Sequence, residues 1–195
     1  MYSFERQWYQ MAEPKARILD ENGTRRALMR ISHEICEANK GVDGVTVIGI
    51  KRRGVSLARM ICDNLERIEG VRVPMYELDI TFYRDDLETA HADPRYTSSS
   101  ATVPVDGRKV IIVDDVIYTG RTARAALEAV FSFGRPSKIQ LAVLIDRGHR
   151  ELPIRPDYVG KTIPTSKGEV VKVSTPEYDG ITGVELYDRD ALREG

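Results

Sequence analysis

Apolar residues along this chain fall into two alternating patterns. Some form short, unbroken runs rich in β-branched residues. Others recur every three or four positions over longer stretches. The first pattern predicts strands buried on both faces, the second helices with one apolar face. Residues 45–50 (VTVIGI), 109–115 (KVIIVDD) and 138–146 (KIQLAVLID) are of the first kind, and 73–83 (VPMYELDITFY) is a further strand candidate. Helices are predicted from Gly23 to Ala38, from Ala58 to Ile68 before Gly70, and from Arg121 up to Gly134 with Pro136 beyond. In the last of these, Ala123, Leu127, Val130 and Phe131 share one face. The succession of strand, helix and strand predicts an α/β fold, a mostly parallel sheet flanked by helices.

Two stretches break the pattern. Residues 84–105 are polar and aperiodic, with His91, Pro94 and Pro104 among Asp, Thr and Ser. So long a structureless stretch inside a domain reads as a lid over a site. Residues 1–20 read as an N-terminal arm, with Tyr2, Phe4, Trp8 and Tyr9 set among charged residues before Pro14. Such an arm is a docked tail, or an aromatic contact for a partner subunit. Residues 21–195 then form a single domain; beyond 146 only short strand-like runs remain, at 170–174 and 183–187.

Composition narrows the function classes. With 29 basic against 30 acidic residues the net charge is −1, so any nucleic-acid partner needs a local basic face. Cys36 and Cys62 are too few for a disulfide framework or a four-cysteine zinc site, and Cys62 lies on an apolar helix stripe. No apolar run reaches the roughly 18 residues of a membrane helix, and residues 1–21 lack a secretory core. The expected location is the cytoplasm.

The chemistry concentrates in residues 110–122, VIIVDDVIYTGRT. An apolar strand delivers Asp114 and Asp115 to its C-terminal end, where ligands bind in an open parallel sheet. The turn Thr119-Gly120-Arg121-Thr122 then opens a helix, whose first N–H groups make an anion site. Two carboxylates beside a phosphate cradle suit a ribose, whose hydroxyls each donate to an acid. A helix-capping acid sits singly, directly before its helix, whereas these two end an apolar run several residues earlier. Neither a P-loop nor a dinucleotide fingerprint is present. Lys51, Arg52, Arg53 and Gly54 follow the first buried strand and open the next helix, placing a basic turn on the same sheet.

Residues 110–122 resemble the phosphoribosyl pyrophosphate motif of the type I phosphoribosyltransferases. ALMRISHEI, VIGIKRRG, ELDITFYRDDL and, above all, DRGHRELPIRPDYVGKTIPTS (146–166) are similar to one branch, the PyrR family of pyrimidine operon attenuators and uracil phosphoribosyltransferases. The resemblance runs from about residue 18 to 190. It implies a type I phosphoribosyltransferase fold with a small hood from about residue 146 and a flexible lid loop. It implies conversion of uracil and phosphoribosyl pyrophosphate to UMP and pyrophosphate. Lys51, Arg52, Arg53 and Gly54 would form the pyrophosphate loop, more basic here because Arg52 stands where members more often carry Thr. Asp114 and Asp115 would hold the ribose hydroxyls, and Tyr118, Thr119, Gly120, Arg121 and Thr122 would surround the 5-phosphate. Tyr83, Arg84 and Asp85 would belong to the closing lid, with Arg53 and Arg84 stabilising the departing pyrophosphate. Mg²⁺ would arrive with the substrate instead of sitting in a protein cage. No histidine is assigned as a general base: His149 lies in the hood and His91 in the lid.

The same resemblance implies a UMP-dependent RNA partner, the leader of pyrimidine-gene messenger RNA, and a homodimer or higher homo-oligomer. Candidate RNA contacts are Arg25, Arg26, Arg30 and His33 on the first helix, with Arg147, Arg150, Arg155 and Lys161 in the hood segment. The two clusters serve one RNA only if the fold brings them together. Met29 and Ala38 depart from the polar and basic residues of messenger-RNA-binding members, which bears on RNA binding and not on catalysis. The alternatives are a regulator with weak or no enzyme activity and a phosphoribosyltransferase for a purine base.

Overall fold

A computed structural model of the chain describes residues 13–80 and 103–190. The order of elements is β1 (Ala16–Leu19), α1 (Glu21–Asn39), β2 (Val45–Ile50), α2 (Arg53–Glu69), β3 (Met75–Leu78), β4 (Lys109–Ile117), α3 (Arg121–Phe133), β5 (Lys138–Asp146), β6 (Tyr158–Thr162), β7 (Glu169–Ser174), α4 (Pro176–Asp179) and β8 (Gly183–Asp188).

Five strands form a parallel sheet in the order β3-β2-β4-β5-β6. Its central strands are built on apolar runs because helices cover both faces. On β4 the alternation is explicit. Ile111 and Val113 face a core made with Leu28, Ile31 and Ile35 of α1 and Leu57, Ile61 and Leu65 of α2. Val110 and Ile112 face the opposite core, with Ala123, Ala126, Ala129 and Val130 of α3. Asp20 starts α1, its carboxylate accepting the Gly23 N–H at 2.6 Å, and Gly70 in a left-handed conformation ends α2.

The main strands and helices match the sequence expectation, with five differences. Of the 73–83 strand candidate, β3 takes only Met75–Leu78 among the described residues. Phe131 is 61% exposed, because the face of α3 against the sheet is built from small alanines and Val130. β4 runs two residues past the acid pair, to Ile117. Residues 16–19 of the expected arm form a strand, β1, paired antiparallel with β8 and anchored where Lys15 meets Glu169 at 2.7 Å. Four residues are too few for a periodic pattern to show. Finally, β6 belongs to the parallel sheet, whereas β1, β8 and β7 alone form the separate three-stranded antiparallel hood sheet. β6 is an edge strand with a glycine and a lysine, so it lacks the apolar run of a central strand. The expected lid lies outside the described residues except for its end, where Val103 and Val105 are buried in the second core.

Candidate active site

β2 and β4 are neighbours, so the loops that leave their C-terminal ends lie side by side. Asp114 and Asp115 form the floor. The Asp115 N–H donates to Asp114 Oδ1 and the Val116 N–H to Asp115 Oδ1, each at 2.9 Å, which fixes both carboxylates. Burial pushes both carboxyls above the usual carboxylate range. For Asp114 the adjacent Asp115 charge adds to the rise; for Asp115 the Arg53 guanidinium opposes it. Two acids held under mutual repulsion are poised for a ligand that donates hydrogen bonds to them.

Of the pair, Asp114 lines a cavity of about 290 Å³ whose wall also includes Tyr118, Thr119, Gly120, Arg121 and Thr122. Gly120, at φ +95°, turns the chain into α3, and the N–H of the first helical residue, Arg121, meets Thr119 Oγ1 at 3.4 Å. The start of a helix of this length favours an anion through its backbone N–H groups. The Arg121 guanidinium pairs with Glu151 at 2.9 Å.

Arg53 is the first residue of α2, and the peptide before Arg52 is cis. The loop sits against the acid pair: a Cβ on Gly54 would lie 2.6 Å from the Val113 carbonyl oxygen and 3.2 Å from Asp114 Cα. Lys51 approaches Asp79 at 4.0 Å, and Arg52 is exposed. Arg53 Nε and Nη2 reach Asp179 of α4 at 3.3 and 3.1 Å. Nothing in the residues around Asp179 singles it out before the chain folds. Arg84, with Tyr83, Asp85 and His91, lies outside the described residues.

A phosphoribosyl transferase domain matches residues 15–177. The chain is 56% identical over 174 residues to a bifunctional protein PyrR of Clostridium perfringens, covering 89% of this chain and 98% of that one. The chain belongs to the PyrR family of phosphoribosyltransferases. A second PyrR, from Deinococcus radiodurans, is 54% identical and covers 94% of this chain and all of its own. Among solved structures, a hypoxanthine phosphoribosyltransferase of Trypanosoma cruzi superposes with a TM-score of 0.72 at 22% identity, covering 94% of this chain and 99% of that one. That likeness is one of fold, the type I phosphoribosyltransferase fold.

Within this phosphoribosyltransferase the hood carries two of the residues expected to meet RNA, and it uses them internally. Arg147 is only 6% exposed. It donates to Thr165 Oγ1 and to the carbonyls of Ser166 and Glu169 at 2.7–3.1 Å, with its guanidinium 4.3 Å from the centre of the Tyr118 ring. Arg150 pairs with Asp146 at 2.7 Å and donates to the Tyr118 and Ile154 carbonyls. His149 Nε2 lies 2.6 Å from the Thr165 carbonyl, and its ring meets Tyr118 edge-on. Arg147 and Arg150 are therefore hood-building residues and not a basic surface. Arg147→Met leaves two carbonyls and a hydroxyl without their donor, and its expected melting temperature is about 5 °C or more below the parent's in a thermal scan.

Of the remaining RNA candidates, Arg30 reaches the strand that carries Lys161. Arg30 of α1 donates to the Val159 and Gly160 carbonyls of β6 at 2.9 and 2.7 Å, covering the open edge of the sheet. Lys161 on that strand reaches the Ile18 carbonyl of β1 at 3.3 Å. Arg25, Arg26, His33, Arg155 and Lys161 are exposed, with Arg25 paired to Glu21.

Burial raises the Cys62 thiol to about 12 and, with Glu69, the Cys36 thiol to about 11, so neither presents a thiolate at neutral pH. Among the described residues no three or more His, Cys, Asp or Glu gather as a metal cage. The oxygen donors of the acid pair nevertheless fit a hard cation that takes its other ligands from phosphate and water. No helix among the described residues is long and apolar enough to cross a membrane.

Proposed function

We propose that this chain transfers the phosphoribosyl group of phosphoribosyl pyrophosphate to uracil, giving UMP and pyrophosphate, and that it also binds RNA as a UMP-dependent attenuator. The observation that carries the enzymatic reading is the acid pair at the end of β4, with Asp114 lining the same cavity as the 118–122 turn that starts α3. In this reading Asp114 and Asp115 accept the ribose 2- and 3-hydroxyls. The N–H groups of the 119–122 turn take the 5-phosphate, with Thr119 and Thr122 adding hydroxyls. C1 then faces the pyrophosphate loop.

Departure of pyrophosphate leaves positive charge on the sugar and adds negative charge to the leaving group. The acid pair favours the first. Arg53, with Lys51 and Arg52 on the same loop, favours the second, and Arg84 of the lid segment is assigned the same task. Placement and preorganised charge supply such catalysis without a covalent intermediate. Mg²⁺ carried by the substrate, when bound, neutralises part of the pyrophosphate charge.

Purified protein with uracil, phosphoribosyl pyrophosphate and Mg²⁺ is expected to form UMP, and uracil is expected to outcompete hypoxanthine and guanine. No UMP, or preference for a purine, overturns the assignment of the base. The RNA reading is supported by PyrR kinship and by the contiguity of α1 with β6, which joins Arg26, Arg30 and His33 to Lys161. A gel-shift titration with pyrimidine-operon leader RNA is expected to tighten when UMP is added. No UMP dependence removes the regulatory role. Both activities belong in the cytoplasm, where substrate and messenger meet.

A further inference from the structure

The arginine of the pyrophosphate loop is gripped from 126 residues away in the sequence. Asp179, on the short helix α4 between β7 and β8, takes the Nε–Nη2 edge of Arg53 with both carboxylate oxygens. The Asp179 side chain is only 10% exposed, and it also accepts the Thr175 N–H at 3.0 Å. A two-toothed pair of this kind fixes the plane of a guanidinium as well as its distance, which a single contact does not. A second ion pair joins the same two helices, Arg59 of α2 with Glu177 of α4. Burial alone would raise the Asp179 carboxyl. The hydrogen bonds from Arg53 and Thr175 N–H overcome it and hold the group below the usual range.

We infer that Asp179 is a positioning residue for pyrophosphate departure. By holding one edge of Arg53 it aims the guanidinium beside the acid pair and ties the hood to the pyrophosphate loop. The inference rests on the phosphoribosyltransferase reading of the site. In this reading Asp179 acts on the substrate through Arg53.

Three variants separate positioning from mere attachment of α4. Asp179→Asn keeps an oxygen for the Thr175 N–H and removes the charge that grips Arg53. Asp179→Glu keeps the charge. Glu177→Gln weakens only the second pair. Binding of Mg²⁺–phosphoribosyl pyrophosphate is read by calorimetry, kcat and both KM values by UMP formation, and folding by thermal scan.

The Asn variant is expected to bind Mg²⁺–phosphoribosyl pyrophosphate about tenfold more weakly and to lose about tenfold in kcat, with its uracil KM within about twofold of the parent's. The Glu variant recovers a substantial part of both losses. Glu177→Gln stays within about twofold of the parent throughout. Parent-like affinity and kcat in Asp179→Asn overturn the inference, as does tighter binding, which would make Asp179 a competitor of pyrophosphate. Equal losses in the Asn and Gln variants that track melting temperature also overturn it, in favour of simple attachment. If the parent itself binds no phosphoribosyl pyrophosphate, the reading of the site fails and the inference with it. If the parent binds it and the Asn variant does so equally well, only the role of Asp179 fails.

Discussion

Asp115→Asn is expected to lower kcat/KM for UMP formation by about 10²- to 10³-fold while raising the stability of the ligand-free protein. The two effects have one cause. The carboxylate proposed to favour positive charge on the ribose is held in a half-buried site beside a second carboxylate. Removing one preorganised charge aimed at a developing charge costs about 3–4 kcal/mol of transition-state stabilisation in comparable sites.

The stability effect follows from the same burial. Both folded-state carboxyls bind protons more tightly than ordinary ones, Asp114 the more strongly. Between the ordinary carboxylate value and the raised one, the folded chain keeps a proton that the unfolded chain has released. Stability therefore falls as pH rises through that window, and the penalty is fully present above it. The amide removes one titrating charge and relieves Asp114, and its oxygen still accepts the Val116 N–H. The variant should melt a few degrees above the parent at pH 8, about 2–4 °C per kcal/mol for a chain of this size. The difference should shrink towards pH 4. Melting scans across that range and initial rates at one pH test both halves. Retained activity removes Asp115 from the ribose site, and a lower melting point at pH 8 removes the repulsion argument.

Strands buried on both faces were legible because burial demands unbroken apolar runs. The ends of β2 and β5 fall where the composition changes. The acid pair was legible for the opposite reason: two charges at the end of such a run have no packing role. What escaped was set by partners distant in sequence. β1 is four residues of ordinary composition that become a strand only because β8 lies alongside. Arg147 carries the same charge as Arg155, and only the folded chain separates them, one buried under three acceptors and the other exposed. Asp179 lies in STPEYDG, a local signature of a turn, and nothing within it points to an arginine at the far end of the domain.

Gly54→Ala is expected to damage both fold and activity, against the usual direction of the substitution. In an open helix position alanine is favoured over glycine by about 1 kcal/mol. At residue 54 the new Cβ would lie 2.6 Å from the Val113 carbonyl oxygen, 3.2 Å from Asp114 Cα and 3.4 Å from the Val113 carbonyl carbon. All three are backbone atoms of a central strand, so no side-chain rotation relieves the overlap. Either α2 lifts from the sheet or β4 shifts, at a cost of about 1–3 kcal/mol. The melting temperature should therefore fall by about 3–10 °C. Both adjustments also displace site groups, because Arg53 precedes Gly54 and Asp114 is one of the atoms' owners. Mg²⁺–phosphoribosyl pyrophosphate affinity and kcat should each drop about tenfold or more. Gly168→Ala is the control: its only close neighbour would be Ser166 Oγ at 3.8 Å, and it should leave melting and rate unchanged. A Gly54→Ala protein that melts at or above the parent and turns over normally would mean that the loop does not rest on β4, and the assignment of Arg53 to the leaving group would lose its geometric basis.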